Sequence, residues 1–116
     1  MNIMIVEDQA PIAQNLKELL EHEGHHTQMV ATLAAARTIL RARHPDLVFL
    51  DVHLPDGSGL DLLDYADAVK FVIITGTPRE ESLNTAFDHG AVAYLVKPFT
   101  LQDVLEAITL AGKADA

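Results

Sequence analysis

Short apolar runs alternate with segments whose apolar residues return every three or four positions, and this alternation occurs five times along the chain. Ile3 to Val6 is the first run, short and rich in branched residues, which predicts a strand. From about Pro11 to Glu23, Ile12, Leu16, Leu19 and Leu20 fall on one stripe, predicting a helix that Gly24 ends. His26 to Val30 is more polar and predicts a strand near a sheet edge. Thr32 is placed to cap a second helix through about Arg43, with Leu33, Ala36, Ile39 and Leu40 inward, and Pro45 stops it from continuing. Leu47 to Leu50 is continuously apolar and too short for a helix, as expected of a strand buried on both faces.

Beyond a loop of turn formers, Pro55, Asp56, Gly57 and Gly59, a short helix with Leu60, Leu62 and Leu63 is expected to about Ala68, and Phe71 to Ile74 reads as the fourth strand. Thr77-Pro78-Arg79-Glu80 has the form of a capping box with proline at the first helical position, so a fourth helix is expected from there to about His89, ended by Gly90. Val92 to Val96 is the fifth strand, and Thr100 to Asp103 opens a fifth helix with Leu101, Val104, Leu105 and Ile108 inward. Residues 1–110 are thus expected to form one domain, with 111–116 a tail or the start of a linker. Five β-then-α units imply an α/β fold with a parallel sheet covered on both faces. Five strands fit the flavodoxin-like doubly wound order 2-1-3-4-5, whose reversal between strands one and three opens a crevice at their carboxyl ends.

Composition narrows what that crevice can hold. The chain has 116 residues, 49% of them hydrophobic, and eight basic against seventeen acidic residues give a formal charge of -9. That balance argues against nucleic acid or an anionic membrane as a partner and suits a cation site. There is no cysteine, so neither a disulfide framework nor a thiolate metal site is available. No apolar run approaches a membrane span, and a cytoplasmic location is expected.

The residues following the strands carry the chemistry. Val6 is followed by Glu7 and Asp8, Leu50 by Asp51, Ile74 by Thr75 and Val96 by Lys97, while the second strand offers only Ala31 and Thr32. Three carboxylates at one point repel by roughly 4 kcal/mol per pair at ~4 Å and an effective dielectric of ~20, so a cation is required. A hard divalent ion taking carboxylates and a phosphate oxygen fits, which means Mg2+, with Mn2+ as an alternative, rather than zinc. Asp51 could then attack phosphorus while Lys97 and the Thr75 hydroxyl receive the phosphoryl oxygens. Without metal, at least one of the three carboxylates should have a raised pKa.

Glu7-Asp8, Asp51, Thr75 and Lys97-Pro98, with Leu54-Pro55-Asp56-Gly57-Ser58-Gly59 and Tyr94, resemble the receiver domain of bacterial two-component response regulators. The resemblance implies a phosphoryl-accepting signalling switch rather than an enzyme acting on others. By it, Asp51 takes its phosphoryl group from a sensor histidine kinase or a histidine phosphotransfer protein. It further implies Asp8, Asp51 and the backbone carbonyl of His53 as metal ligands, with Glu7 acting through water, and Thr75 and Tyr94 as the switch pair. Lys97 becomes the phosphate-binding lysine, and the surface of the fourth helix, fifth strand and fifth helix controls an output domain or partner. His53 and Thr77, two residues beyond Asp51 and Thr75, would tune the lifetime of the phosphorylated state. Gly76 stands where alanine is commoner. Val92-Ala93 and an arginine-free last helix replace the charged pairs by which winged-helix members of the family dimerise.

Other readings stand beside this one. A receiver-like interaction module without phosphate turnover needs the same residues. A small aspartyl-phosphate phosphohydrolase of the haloacid-dehalogenase type wants a second aspartate where this chain has His53, and a flavin carrier on this fold wants hydroxyls where it has Glu7-Asp8. His22, His25 and His26 could suggest a zinc site, but adjacent imidazoles at a helix end are more simply solvated.

Overall fold

The computed structural model describes residues 1–113. The strands are β1 (Asn2–Val6), β2 (His26–Val30), β3 (Leu47–Asp51), β4 (Lys70–Thr75) and β5 (Ala91–Val96). Between them run α1 (Ala10–His22), α2 (Leu33–Ala42), a 3-10 helix counted as α3 (Gly59–Tyr65), α4 (Glu80–Asp88) and α5 (Leu101–Lys113). All pairings in the sheet are parallel and the order is β2-β1-β3-β4-β5, the flavodoxin-like arrangement, with the polar β2 on an edge as its composition requires. The register sets Val6 beside Leu50, Asp51 beside Ile74 and Thr75 beside Val96, so four strands bring Glu7, Asp51, Thr75 and Lys97, at or just past their ends, to one rim.

Every residue of β3 is buried, which explains its unbroken apolar run. Alternate side chains divide between two layers. Val48 and Leu50 pack with Leu33, Ala36 and Leu40 of α2, Leu62 and Leu63 of α3, and Ala86 of α4. Phe49 packs with Ala13, Leu16 and Leu20 of α1 and Val104, Ala107 and Ala111 of α5.

Local signals were met unevenly. Thr32 caps α2 by accepting from the Ala35 amide at 3.1 Å. The Thr100–Asp103 box closes in both directions, at 2.9 and 3.1 Å. The expected box at Thr77 does not form. The Thr77 amide donates instead to the Thr75 hydroxyl at 3.1 Å, and α4 starts at Glu80 with Arg79 at its N-cap and no side-chain cap. The third helix winds as 3-10, the tighter form that a short span before β4 can hold. Leu101, expected inward, is 39% exposed, while Ala107 and Ala111, whose small side chains let α5 lie close to the sheet, are buried. Residues 111–113 continue α5, and 114–116 of the expected tail lie outside the described residues.

The loop after β3 is tied down on both sides. Asp56 accepts from the Leu33 and Ala34 amides at 2.9 and 3.1 Å, meeting the free donors at the start of α2. Those backbone bonds hold its pKa below the ordinary value. His53–Leu54 pairs antiparallel with Gly57–Ser58, and the Gly59 amide donates to the Val52 carbonyl at 2.7 Å. A Cβ on Gly59 would stand 2.0 Å from the Asp51 carbonyl oxygen, so only glycine allows this crossing.

Candidate functional site

Glu7, Asp51 and Thr75 are the polar or charged residues buried among those described, and each lies at the carboxyl edge of the sheet. Oxygens of the Glu7, Asp8 and Asp51 carboxylates lie within 4.8 Å of one another, with Asp8 on the exposed side. Lys97, directly after β5, donates through Nζ to Glu7 Oε1 at 2.7 Å and to Asp51 Oδ2 at 3.3 Å. Gln9 Oε1 also accepts from Nζ, at 3.4 Å, a contact with no signal in the sequence beyond proximity to the acidic pair. The other Asp51 oxygen accepts from the His53 amide at 3.2 Å.

One cation therefore faces three carboxylates, and the pKa directions register the imbalance. Burial, and then the neighbouring Asp51 carboxylate, push Glu7 up to about 8 against the opposing pull of Lys97. Burial lowers Lys97, but its bonds and charge contacts with Glu7 and Asp51 outweigh that and hold its pKa above the ordinary value. Both groups favour the proton-bound form, as expected where positive charge is short. Glu7 Oε2 is buried with no partner. An all-oxygen set with an unused buried lone pair fits Mg2+ or Mn2+ and lacks the nitrogen or sulfur that zinc prefers. Among the described residues no histidine joins such a group. His25 Nδ1 instead lies 3.1 Å from the Met1 amine, and the expectation of solvated imidazoles at His22 and His26 is met by their exposure.

Thr75 is buried with its hydroxyl turned to the Thr77 amide. Tyr94, on the same side of the sheet two register positions back, points outward at 45% exposure and meets Phe87 edge to face at 6.1 Å between centroids. His53 and Thr77 line a small cavity of about 150 Å³ beside Thr75, together with Arg79 and Ser82. Nothing in the local sequence marks Arg79, at the N-cap of α4, or Ser82, on its first turn, as site residues.

The family model described as the response regulator receiver domain matches residues 3–109. The chain belongs to this family. Receiver domains of two-component systems are regulatory, and the relatives and neighbours agree with that class. The transcriptional regulatory protein PdtaR of Mycobacterium tuberculosis is 35% identical over 113 residues, covering 94% of this chain and 55% of that protein. The chain thus spans about half the length of this relative. A CheY-like receiver domain protein from Methanospirillum hungatei superposes with a TM-score of 0.88 at 29% identity, covering 98% of this chain and 96% of that one. The beryllofluoride-activated NtrC4 receiver domain, described as a dimer in solution, superposes with a TM-score of 0.91 at 28% identity, covering 99% and 98%. No helix among the described residues of this receiver domain is long and apolar enough to cross a membrane.

Proposed function

We propose that the domain is a phosphoryl-accepting switch in which Asp51 is the acceptor. The observation that carries this is the placement of Asp51: one carboxylate oxygen faces Lys97 at 3.3 Å, inside the Glu7–Asp8–Asp51 group. An Asp51 oxygen attacks phosphorus, and the bond from phosphorus to the donor nitrogen of a phosphohistidine breaks with the electron pair going to the imidazole. Lys97 holds a phosphoryl oxygen, and the Thr75 hydroxyl leaves the Thr77 amide to donate to another. Bound Mg2+ or Mn2+, held by Asp8, Asp51, the His53 carbonyl and, through water, Glu7, supplies the positive charge that the site lacks. A sensor histidine kinase or phosphotransfer protein is the donor, the setting is the cytoplasm, and an output domain or separate protein is the recipient. Residues 1–110 hold the whole switch. Incubation with a small-molecule phosphodonor and Mg2+ is expected to add one phosphoryl group by intact mass, and Asp51→Asn to abolish it. Stoichiometric labelling that survives the substitution removes Asp51 from this role.

Thr75 and Tyr94 share a face of the sheet, so the space that Thr75 leaves can admit the Tyr94 ring. Beryllofluoride with Mg2+ is expected to shift amide resonances from Ala86 to Val104 more than those from Leu33 to Leu40. Equal or reversed perturbation defeats this coupling.

His53 and Thr77 flank the cavity beside Thr75, on the route by which water reaches an acyl phosphate, and neither is an amide or carboxylate that would orient it. Slow self-dephosphorylation is expected, with faster loss when His53→Asn and Thr77→Glu are combined. A doubly substituted protein that keeps its phosphate longer than the parent means that water enters elsewhere.

A further inference from the structure

Seven large apolar side chains stand exposed among the described residues, and Phe87, Tyr94, Val96 and Leu110 share one groove along β5 between α4 and α5. They are 41%, 45%, 37% and 49% exposed, and the groove they line measures about 420 Å³. A contiguous apolar patch on a chain this charged marks an interaction surface. Its polar wall has one sign: Asp103 and Glu106 line the groove, and no lysine, arginine or histidine does. Asp103 is occupied with capping α5 and Glu106 with Gln102 at 3.3 Å, and neither forms a salt bridge among the described residues.

We infer that this groove takes an apolar-faced segment of a partner protein flanked by lysine or arginine, and that it is not a self-association surface. A two-fold pairing sets the same patch against itself, so each copy would bring Asp103 and Glu106 to a groove that offers no cation to meet them. The formal charge of -9 opposes that approach as well. A basic amphipathic segment satisfies both features of the wall: its apolar residues cover Tyr94 and Leu110, and its cations pair with the acidic side. This deepens the proposed switch by naming what its responsive face receives, and it rests on that reading.

The probe is a synthetic helical peptide with leucine at every third or fourth position and lysine beside them, set against the same peptide carrying glutamate for lysine. In amide-shift titrations of the full chain, the lysine peptide is expected to bind, with shifts centred on Phe87, Tyr94, Val96 and Leu110, and the glutamate peptide to show no binding. Leu110→Ser and Glu106→Lys are each expected to weaken binding about tenfold. Glu18→Lys, which changes the net charge equally on the exposed face of α1, should leave it unchanged. Sedimentation is expected to show a monomer with and without beryllofluoride. Equal loss with Glu18→Lys and Glu106→Lys, shifts centred elsewhere, or a dimer that Leu110→Ser dissolves would each overturn the inference. If Glu106→Lys weakens binding but beryllofluoride leaves it unaltered, the groove assignment stands and the switch reading fails.

Discussion

In the presence of chelator, Glu7→Gln is expected to unfold at a higher temperature than the parent at neutral pH, and the two are expected to converge as pH falls to about 4.5. Glu7 is pushed up to about 8 in the folded chain from an ordinary value of 4.5. A raised pKa means that its contribution to stability is complete below 4.5 and is lost as pH rises through about 8. At neutrality most of that loss has occurred, on the order of 3 kcal/mol, a large part of a small domain's total. Glutamine reproduces the protonated state, since its carbonyl can accept from Lys97 and its amide can donate to Asp51. Lys97 does not blur the result. Its pKa is raised too, so its contribution is present below its ordinary value of 10.5 and lost only above, outside this window. Mg2+ should flatten the parent's dependence by mass action. Thermal unfolding from pH 5 to 8 decides the matter, and a parent indifferent to pH, or a less stable Glu7→Gln, contradicts it.

Gly59→Ala is expected to cost on the order of 2 to 4 kcal/mol and to slow phosphorylation of Asp51 at least tenfold. The added methyl would lie 2.0 Å from the Asp51 carbonyl oxygen and 3.1 Å from Leu50 Cδ1, so either the loop or the end of β3 must move. Movement there displaces the Asp51 carboxylate against Lys97. Gly76→Ala is the control: its new Cβ comes no closer than 3.9 Å to the Lys97 side chain and should change stability by less than about 0.5 kcal/mol. Denaturant unfolding and intact-mass time courses on both variants test the contrast. A Gly59→Ala protein as stable and as quickly labelled as Gly76→Ala would show that the crossing tolerates a side chain.

The sheet and its order were legible because each strand is a compact apolar run, and β3 in particular can be read only as a strand covered twice. The acidic group and Lys97 were legible because strand ends in a parallel sheet share an edge, so sequence adjacency to Val6, Leu50, Ile74 and Val96 becomes proximity in space. What escaped depended on distance or on competition. Asp56 holds the start of α2, 22 and 23 residues away along the chain, and nothing local distinguishes it from an ordinary turn aspartate. Thr77 had the sequence of a capping box, but its amide donates to the Thr75 hydroxyl rather than to the Glu80 carboxylate, a contest between two acceptors that pattern alone does not decide. Ala107 and Ala111 bury where Leu101 does not, because close approach of α5 rewards small side chains. That Glu7, rather than Asp8, is the buried carboxylate follows from which of two adjacent residues turns inward after β1.

The tethering of the loop after β3 fastens one side of the crevice at more points than the other. On the Asp51 side, Asp56 grips two amides of α2 and Gly59 is fastened to Val52, while on the Thr75 side one hydroxyl contact to Thr77 restrains the approach to α4. In the proposed switch, a phosphoryl group on Asp51 would therefore push against an anvil. Its mechanical effect would then be directed toward β4 and β5, with the polarity of the signal set by where the chain is anchored as much as by where it is modified.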